Sequence, residues 1–401
     1  MKGIFLIKLF TRHAEQVLSR CSKDRLLALD VLRGITITAM VLVNNPGSWS
    51  HIYTPLKHAQ WHGLTPTDLI FPFFVFMMGL SIGIVIKRAK LLPCQHKNVW
   101  GRTIKLFGLG LFLFLFYINF QSAEFSWLED RLYKIRVFGV LQRLAIVYII
   151  TYYLTFYLSL KAQKNILISL LISYWGLNAF VPYQDNFGNT YVGELLFGNS
   201  LVAWLDDFIV GSQHLYYQSA QPFAFDPEGL LSTVPAIASA ITGVLAANIL
   251  NNKLLATLDK VKSLAMYGTL MLFVGYLVSI AVPINKQLWT SSFVLVTSGW
   301  ACVMLAGLIW LLDIKGYKKW SAPFVVFGVN AIGFFVLSGI FARILLMIPV
   351  GESSLKGFLY KHYFSDIFSP TFGSLAFALC FCGVCYLIFY KLYQKQIIFK
   401  V

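Results

Sequence analysis

The sequence predicts an all-α membrane protein, a polytopic bundle of about ten transmembrane helices with both termini cytoplasmic. Three observations carry that prediction. The chain has 401 residues, 58% of them hydrophobic and only 12% charged, with a mean hydropathy of +0.69, which leaves a soluble fold nowhere to put its apolar surface. Its apolar stretches are long and unalternating, where about 18 to 20 apolar residues cross a bilayer as a helix and barrel strands would be shorter and alternate. Lys and Arg are lopsided: with Met1 cytoplasmic, 24 fall in cytoplasmic segments and seven in exported ones.

Residues 1–26, opening MKGIFLIKLFTRHAEQVLSR, are too basic and interrupted for a secretory signal, and are expected to form a cytoplasmic, amphipathic lead-in. The transmembrane domain then covers 27–393, with a cytoplasmic tail at 394–401. Its expected spans are 27–43, 69–86, 104–120, 137–160, 166–181, 230–249, 264–284, 293–312, 325–348 and 372–392. Cytoplasmic links are short and basic, so they lie against anionic headgroups and explain the net charge of +16 without nucleic acid. Polar, motif-like residues collect instead in the exported segments 44–67, 121–136, 182–229 and 285–292. The 182–229 segment is long for an unstructured connection and is expected to pack back over the bundle as a lid or mouth. The spacing of the six cysteines suits neither a metal site nor a disulfide framework, and no metal is expected.

Several polar groups stand in or beside these spans. Asp30 and Arg33, in LALDVLRG, share a helix face at the cytoplasmic end of the first span, as an anchoring ion pair or as the entry point of an anionic ligand. Arg143 lies inside the fourth span and Arg343 inside the ninth, so each needs a partner, water or a phosphate; anion binding and structural pairing are both open for Arg143, and structural pairing is favoured for Arg343. His58 sits in LKHAQWHGLTPTDLIFPFFVFMMG, at the rim of the second span. An imidazole there is an amphipathic anchor or a proton carrier and nucleophile. Its company favours chemistry. Asn44 ends the first span and Asp68 starts the second, so a short loop brings an amide, an imidazole and a carboxylate to one rim, although His51 and His62 share that loop. Further on, His214, Asp226 and Glu228 precede the sixth span, as helix-capping groups or as ligands for a sugar's hydroxyls or ammonium. Asn285, Lys286 and Trp289 form a polar turn, with Trp289 an interface anchor or a stacking face for a sugar.

Taken together, the blocks DRLLALDVLRG, VLVNNPG, LKHAQWHGLTPTDLIFPFFVFMMG, KIRVFGVLQRL, HLYYQ, FDPEGLLST, PINKQLWTSSFV, LLDIKG and FVVFGVNAI resemble, in order, the heparan-α-glucosaminide N-acetyltransferase family with its bacterial NagX-type members, in the transmembrane acyltransferase superfamily. The resemblance implies an enzyme that takes acetyl from cytosolic acetyl-CoA and delivers it to an amino sugar or glycan across the membrane. The family's active-site histidine matches His58 and its supporting asparagine matches Asn44. On this reading Asp68 orients His58, while Arg33, Asp30 and Arg143 face the CoA. His214, Asp226, Glu228, Asn285, Lys286 and Trp289 face the acceptor. The resemblance also implies homodimerisation and, for a bacterial-type member, residence in the inner membrane. Two rival readings keep the same residues: transfer to a cell-envelope glycan, lipid or peptide, and transport of an amino sugar, which would use His58 and Asp226 as proton-linked ligands.

Overall fold

A computed structural model describes residues 2–20, 26–86 and 93–399. Cys21, Asp24 and the basic residues 23, 25, 87, 88, 90 and 400, all invoked above, lie outside them. Fourteen α-helices occur among the described residues: α1 (Lys2–Ser19), α2 (Leu27–Asn44), α3 (Ile70–Val85), α4 (Pro93–Leu115), α5 (Val140–Tyr157), α6 (Leu160–Phe180), α7 (Leu201–Val210), α8 (Thr233–Leu250), α9 (Thr257–Val278), α10 (Ser291–Ile309), α11 (Ala322–Val329), α12 (Ala331–Met347), α13 (Leu355–Tyr360) and α14 (Pro370–Gln394). Among the described residues, strand is confined to three hairpins of two-residue strands. The all-α expectation therefore holds.

Among the described residues, seven helical stretches are long and apolar enough to cross a membrane: Leu27–Asn44, Pro66–Val85, Val140–Tyr157, Thr233–Leu250, Thr257–Val278, Ser291–Ile314 and Pro370–Gln394. Helices α4 and α6 coincide with expected spans but fall outside that set, so the count of ten rests on the sequence alone. The ninth expected span, 325–348, is not one helix. It breaks at Asn330, where the two arms meet at 74°. Asn330 holds the break open to the tail: its amide donates to the Ile397 carbonyl (3.0 Å) and accepts from the Phe399 N–H (2.9 Å).

Packing is tightest where small residues let backbones meet. In the α3–α8 pair, a Cβ on Gly79 would overlap the carbonyl oxygen of Ala240, and one on Gly243 would overlap that of Phe76. Such contact is how helices associate where lipid removes the hydrophobic drive between them. Helix α8 is accordingly buried nearly all round, from Thr233 to Ala247. Segment 182–229 folds back on the bundle: two hairpins and α7 enclose an aromatic cluster of Tyr183, Phe223 and Phe225, and Trp61 docks into it by donating its indole N–H to the Leu195 carbonyl (2.7 Å). The described part of the lead-in also packs on the bundle, with His13 2.6 Å from the Tyr386 hydroxyl.

Two cavities of similar size result. One, about 470 Å³, contains His58; the other, about 480 Å³, contains Arg33. Helices α2, α3, α5 and α12 line both. Along α2, Arg33 and Asn44 are eleven residues apart, a rise of about 16 Å.

Candidate active site

The His58 cavity is built at the junction of α2 and α3. Two short 3-10 turns, Thr54–Leu56 and Pro66–Leu69, carry the chain from α2 to α3, with His58 between them. Asp68 closes a capping box with Thr65 and is nearly buried. Its Oδ2 accepts from the Ala59 N–H, the Thr65 N–H and the Thr65 hydroxyl (3.0, 3.0 and 2.9 Å), leaving Oδ1 for His58 Nδ1 at 2.6 Å. A carboxylate only accepts, so Nδ1 carries the proton and Nε2 presents its lone pair. The imidazole is half exposed, against 1% for the Asp68 side chain. This is a rigidly held carboxylate with an accessible base on it.

Lys286 enters from the turn before α10. Its Nζ lies 3.5 Å from Asp68 Oδ1, 3.0 Å from His58 Nδ1 and 3.4 Å from Nε2. Because Nδ1 already donates to Asp68, the lysine's productive partners are Oδ1 and Nε2. Burial pushes the Lys286 ammonium below its usual value, opposed by the charges of Asp68 and Glu228. Asn44 lines the same cavity at the end of α2, with no protein hydrogen bond to its amide among the described residues.

The opposite wall is an ionic network. Arg136 grips Asp226 with both arms (Nε to Oδ2 and Nη2 to Oδ1, 2.6 Å each) and gives a third bond to Glu228 Oε2 (2.6 Å). Burial pulls the Arg136 pKa down, and the Asp226 bond and the two acids' charges more than reverse this, so the guanidinium stays charged. Glu228 lines the cavity with Arg136, Tyr216, Tyr217, Gln287 and Trp61. Beneath, buried Asp206 accepts from the Leu230 N–H (2.9 Å) and the Asp226 N–H (3.3 Å), pinning the loop that delivers both acids.

Asn44, His58, Asp68, Glu228 and Lys286 thus come together in one cavity, as expected, while Arg33 lines the other. Arg33 bonds Asp30 (3.3 Å) and Ser81, and shares its cavity with Arg102, Tyr148 and Tyr152. Several expectations are corrected by position. Arg143 is fully buried away from the Arg33 cavity, bonded to Ser232 and lying 5.0 Å over the Trp289 ring. Trp289 is 1% exposed and donates its indole N–H to Ser239 (3.0 Å), so neither of its faces is open to a sugar. Asn285 is buried, with its amide on the Trp61 carbonyl (3.0 Å) and near His62 (3.4 Å). His214 is 2.9 Å from the Ile135 carbonyl, and Asp226 is occupied by Arg136; neither lines the cavity. Of the two rival histidines, His51 lies 3.4 Å from the Ser48 hydroxyl and His62 beside Asn285, both away from the Asp68 carboxylate.

Sequence reasoning missed Arg136, Asp206, Tyr216 and Tyr217. In the sequence Arg136 is one more basic residue of an exported segment, and the only signal is its need for an acidic partner, which Asp226 and Glu228 supply ninety residues downstream.

An α-helical membrane protein with a histidine–carboxylate pair in a cavity lined by polar, aromatic and aliphatic side chains is the class that fold and site define. The chain belongs to a known family within it: residues 25–280 match the family described as heparan-alpha-glucosaminide N-acetyltransferase, catalytic. Among curated proteins it is similar to the human heparan-alpha-glucosaminide N-acetyltransferase (29% identical over 360 residues, 77% of this chain and 52% of the relative). It is likewise similar to the mouse protein of the same name (30% over 364 residues, 78% and 53%). The chain spans about half the length of these relatives. The matched family region includes Arg33, Asn44, His58, Asp68, Arg136 and Glu228 and ends before Lys286.

Proposed function

We propose that this protein is an integral membrane N-acetyltransferase that passes the acetyl group of cytosolic acetyl-CoA to the amine of a glucosamine-like sugar on the other side of the membrane. The observation that carries the proposal is the His58–Asp68 pair facing one cavity while the helices that frame it also line a second, arginine-bearing cavity at the Arg33 end. CoA is anionic and cannot cross a bilayer. Arg33 and Arg102 supply cationic groups for its phosphates, and the Nε of Arg102 has no hydrogen-bond partner among the described residues. The acyl-bearing arm would run along α2 and α3 toward Asn44 and His58. Membership in the family and the cation-rich loops on the Arg33 side support this sidedness, and the resemblance to the bacterial NagX-type members supports residence in an inner membrane.

The chemistry follows from the geometry. The acceptor must lose its ammonium proton before it attacks. With that proton released to solvent, the neutral amine nitrogen bonds to the thioester carbonyl carbon while Nε2 of His58, not engaged by Asp68, takes a second N–H proton from it. Asp68 then faces an imidazolium, which its charge stabilises. The tetrahedral oxyanion is met by the unoccupied amide of Asn44 and by the Lys286 ammonium. Collapse breaks the C–S bond, and the departing thiolate recovers the proton from His58. An acetyl-His58 intermediate would use the same groups, with Nε2 attacking first. Glu228, anchored by Arg136 through one oxygen, is placed to receive the acceptor's ammonium or hydroxyls, and the tyrosines and Gln287 complete the acceptor wall.

The test uses the purified full chain in sealed vesicles of known orientation, with labelled acetyl-CoA on the Arg33 side and glucosamine on the other. Labelled N-acetylglucosamine from wild type and none from His58→Ala is the expected result. Glucosamine crossing unmodified would replace the enzyme by a transporter. Acetyl-CoA binding without product would redirect the acceptor to an envelope glycan or lipid.

A further inference from the structure

Arg343 belongs to no part of the catalytic cavity, and the structure does not pair it. It sits one turn from the end of α12, and its only protein hydrogen bond among the described residues goes to the Gly339 carbonyl of its own helix (2.9 Å). A Cβ at Gly339 would sit 3.3 Å from Arg343 Nη1 and 3.5 Å from Leu113 of α4, so the guanidinium lies beside that helix. A second guanidinium reaches the same turn of α4 from the loop before α5. Arg131 lies over the Phe114 ring (5.4 Å) and the Tyr117 ring (4.5 Å) and makes no hydrogen bond to the described protein, with its Nε shielded from solvent. Asp130, the carboxylate next in sequence, is spent on the Ser126 N–H (3.1 Å) and Lys134 (3.3 Å).

Ten N–H donors thus converge on one turn and a single one finds a protein acceptor. Two like charges held side by side repel, and an anion between them relieves that repulsion. Around them Phe112, Phe120, Trp127, Leu128, Leu132 and Tyr133 are exposed, an aromatic and aliphatic collar of the kind that sits at headgroup depth. We infer that Arg131 and Arg343 form a binding site for the phosphate of an anionic phospholipid, in the leaflet at the His58 end. Two planar guanidinium forks suit a phosphodiester, and the apolar collar suits its acyl chains and selects the lipid over a free ion. The site stands on its own geometry and does not depend on the catalytic reading.

Native mass spectrometry of the detergent-solubilised full chain tests it, with phosphatidylglycerol, phosphatidylcholine and inorganic phosphate as probes. Wild type is expected to retain phosphatidylglycerol in preference to phosphatidylcholine. Arg131→Gln with Arg343→Gln should weaken that retention about tenfold or more, as losing charge-assisted bonds implies. Arg131→Gln alone, a change in the short helical turn before α5 and not in a long bundle helix, should weaken it while the protein still elutes as a single folded species, which covers failure of the double variant to fold. Equal retention of both lipids, unchanged retention in Arg131→Gln, or displacement of the lipid by millimolar inorganic phosphate would each overturn the assignment.

Discussion

Asp68 illustrates how one residue controls another's chemistry. With Oδ2 saturated by three donors, Oδ1 can only hold Nδ1–H of His58 and aim Nε2 into the cavity. Replacing His58 by Ala should cost acetyl transfer roughly 10²–10⁴-fold, the usual worth of a positioned base. Asp68→Asn should lower kcat with little change in acceptor KM, because the amide admits the wrong tautomer and leaves the binding wall intact. Steady-state kinetics separates the two effects. Asn44→Ala should lower kcat about 10²–10³-fold if its amide meets the oxyanion. Asp206 supplies a pH test. Burial pushes its carboxyl up to about 7 despite two backbone N–H bonds, well above the value of 3.8 it has in the unfolded chain. Its contribution to stability is therefore complete below about pH 4 and is lost as the pH rises to about 7. Asp206→Asn cannot ionise, so its Tm relative to wild type should climb across that window. A flat difference would mean that Asp206 is ionised throughout. Of these residues, His58, Asn44 and Asp68 were legible because they flank a single short loop. Asp206 was not, since only the fold brings α7 beneath the 226–230 turn.

At the scale of elements, close helix contact is the controlling feature. A methyl group on Gly79 must push α3 and α8 apart, so Gly79→Ala should destabilise the solubilised protein by about 1–3 kcal/mol. Gly108, on α4, has open space around it, and Gly108→Ala should be neutral or stabilising by up to about 1 kcal/mol. Thermal unfolding of the two variants side by side checks both, and equal effects would contradict the packing. The apolar runs made most of these helices readable. The break at Asn330 escaped because 325–348 reads as continuously apolar, whereas its bend depends on tail residues 397 and 399 that bond Asn330 from across the fold.

For the whole molecule, the sidedness that the basic residues predict can be measured in intact cells of a cysteine-free background. A membrane-impermeant maleimide should label Asn186→Cys, in the segment over the His58 cavity, and should label Asn252→Cys, between α8 and α9, only after lysis. The reverse pattern would invert the topology and with it the proposed direction of transfer. Composition and hydropathy alone determined that the chain is helical and membrane-embedded, because those properties sum over many residues and need no partner to be specified. The motif order likewise marked out His58, with Asn44 and Asp68 within reach along the chain. Tertiary structure decided what lies far apart in sequence: that Lys286 stands 3.4 Å from His58 Nε2, that Arg136 binds Asp226 and Glu228 from ninety residues away, and that Trp289 and Arg143 are buried against each other. A buried charge can be recognised in a sequence by its cost, but its partner is chosen by which helices meet, and that is fixed by packing over the whole bundle.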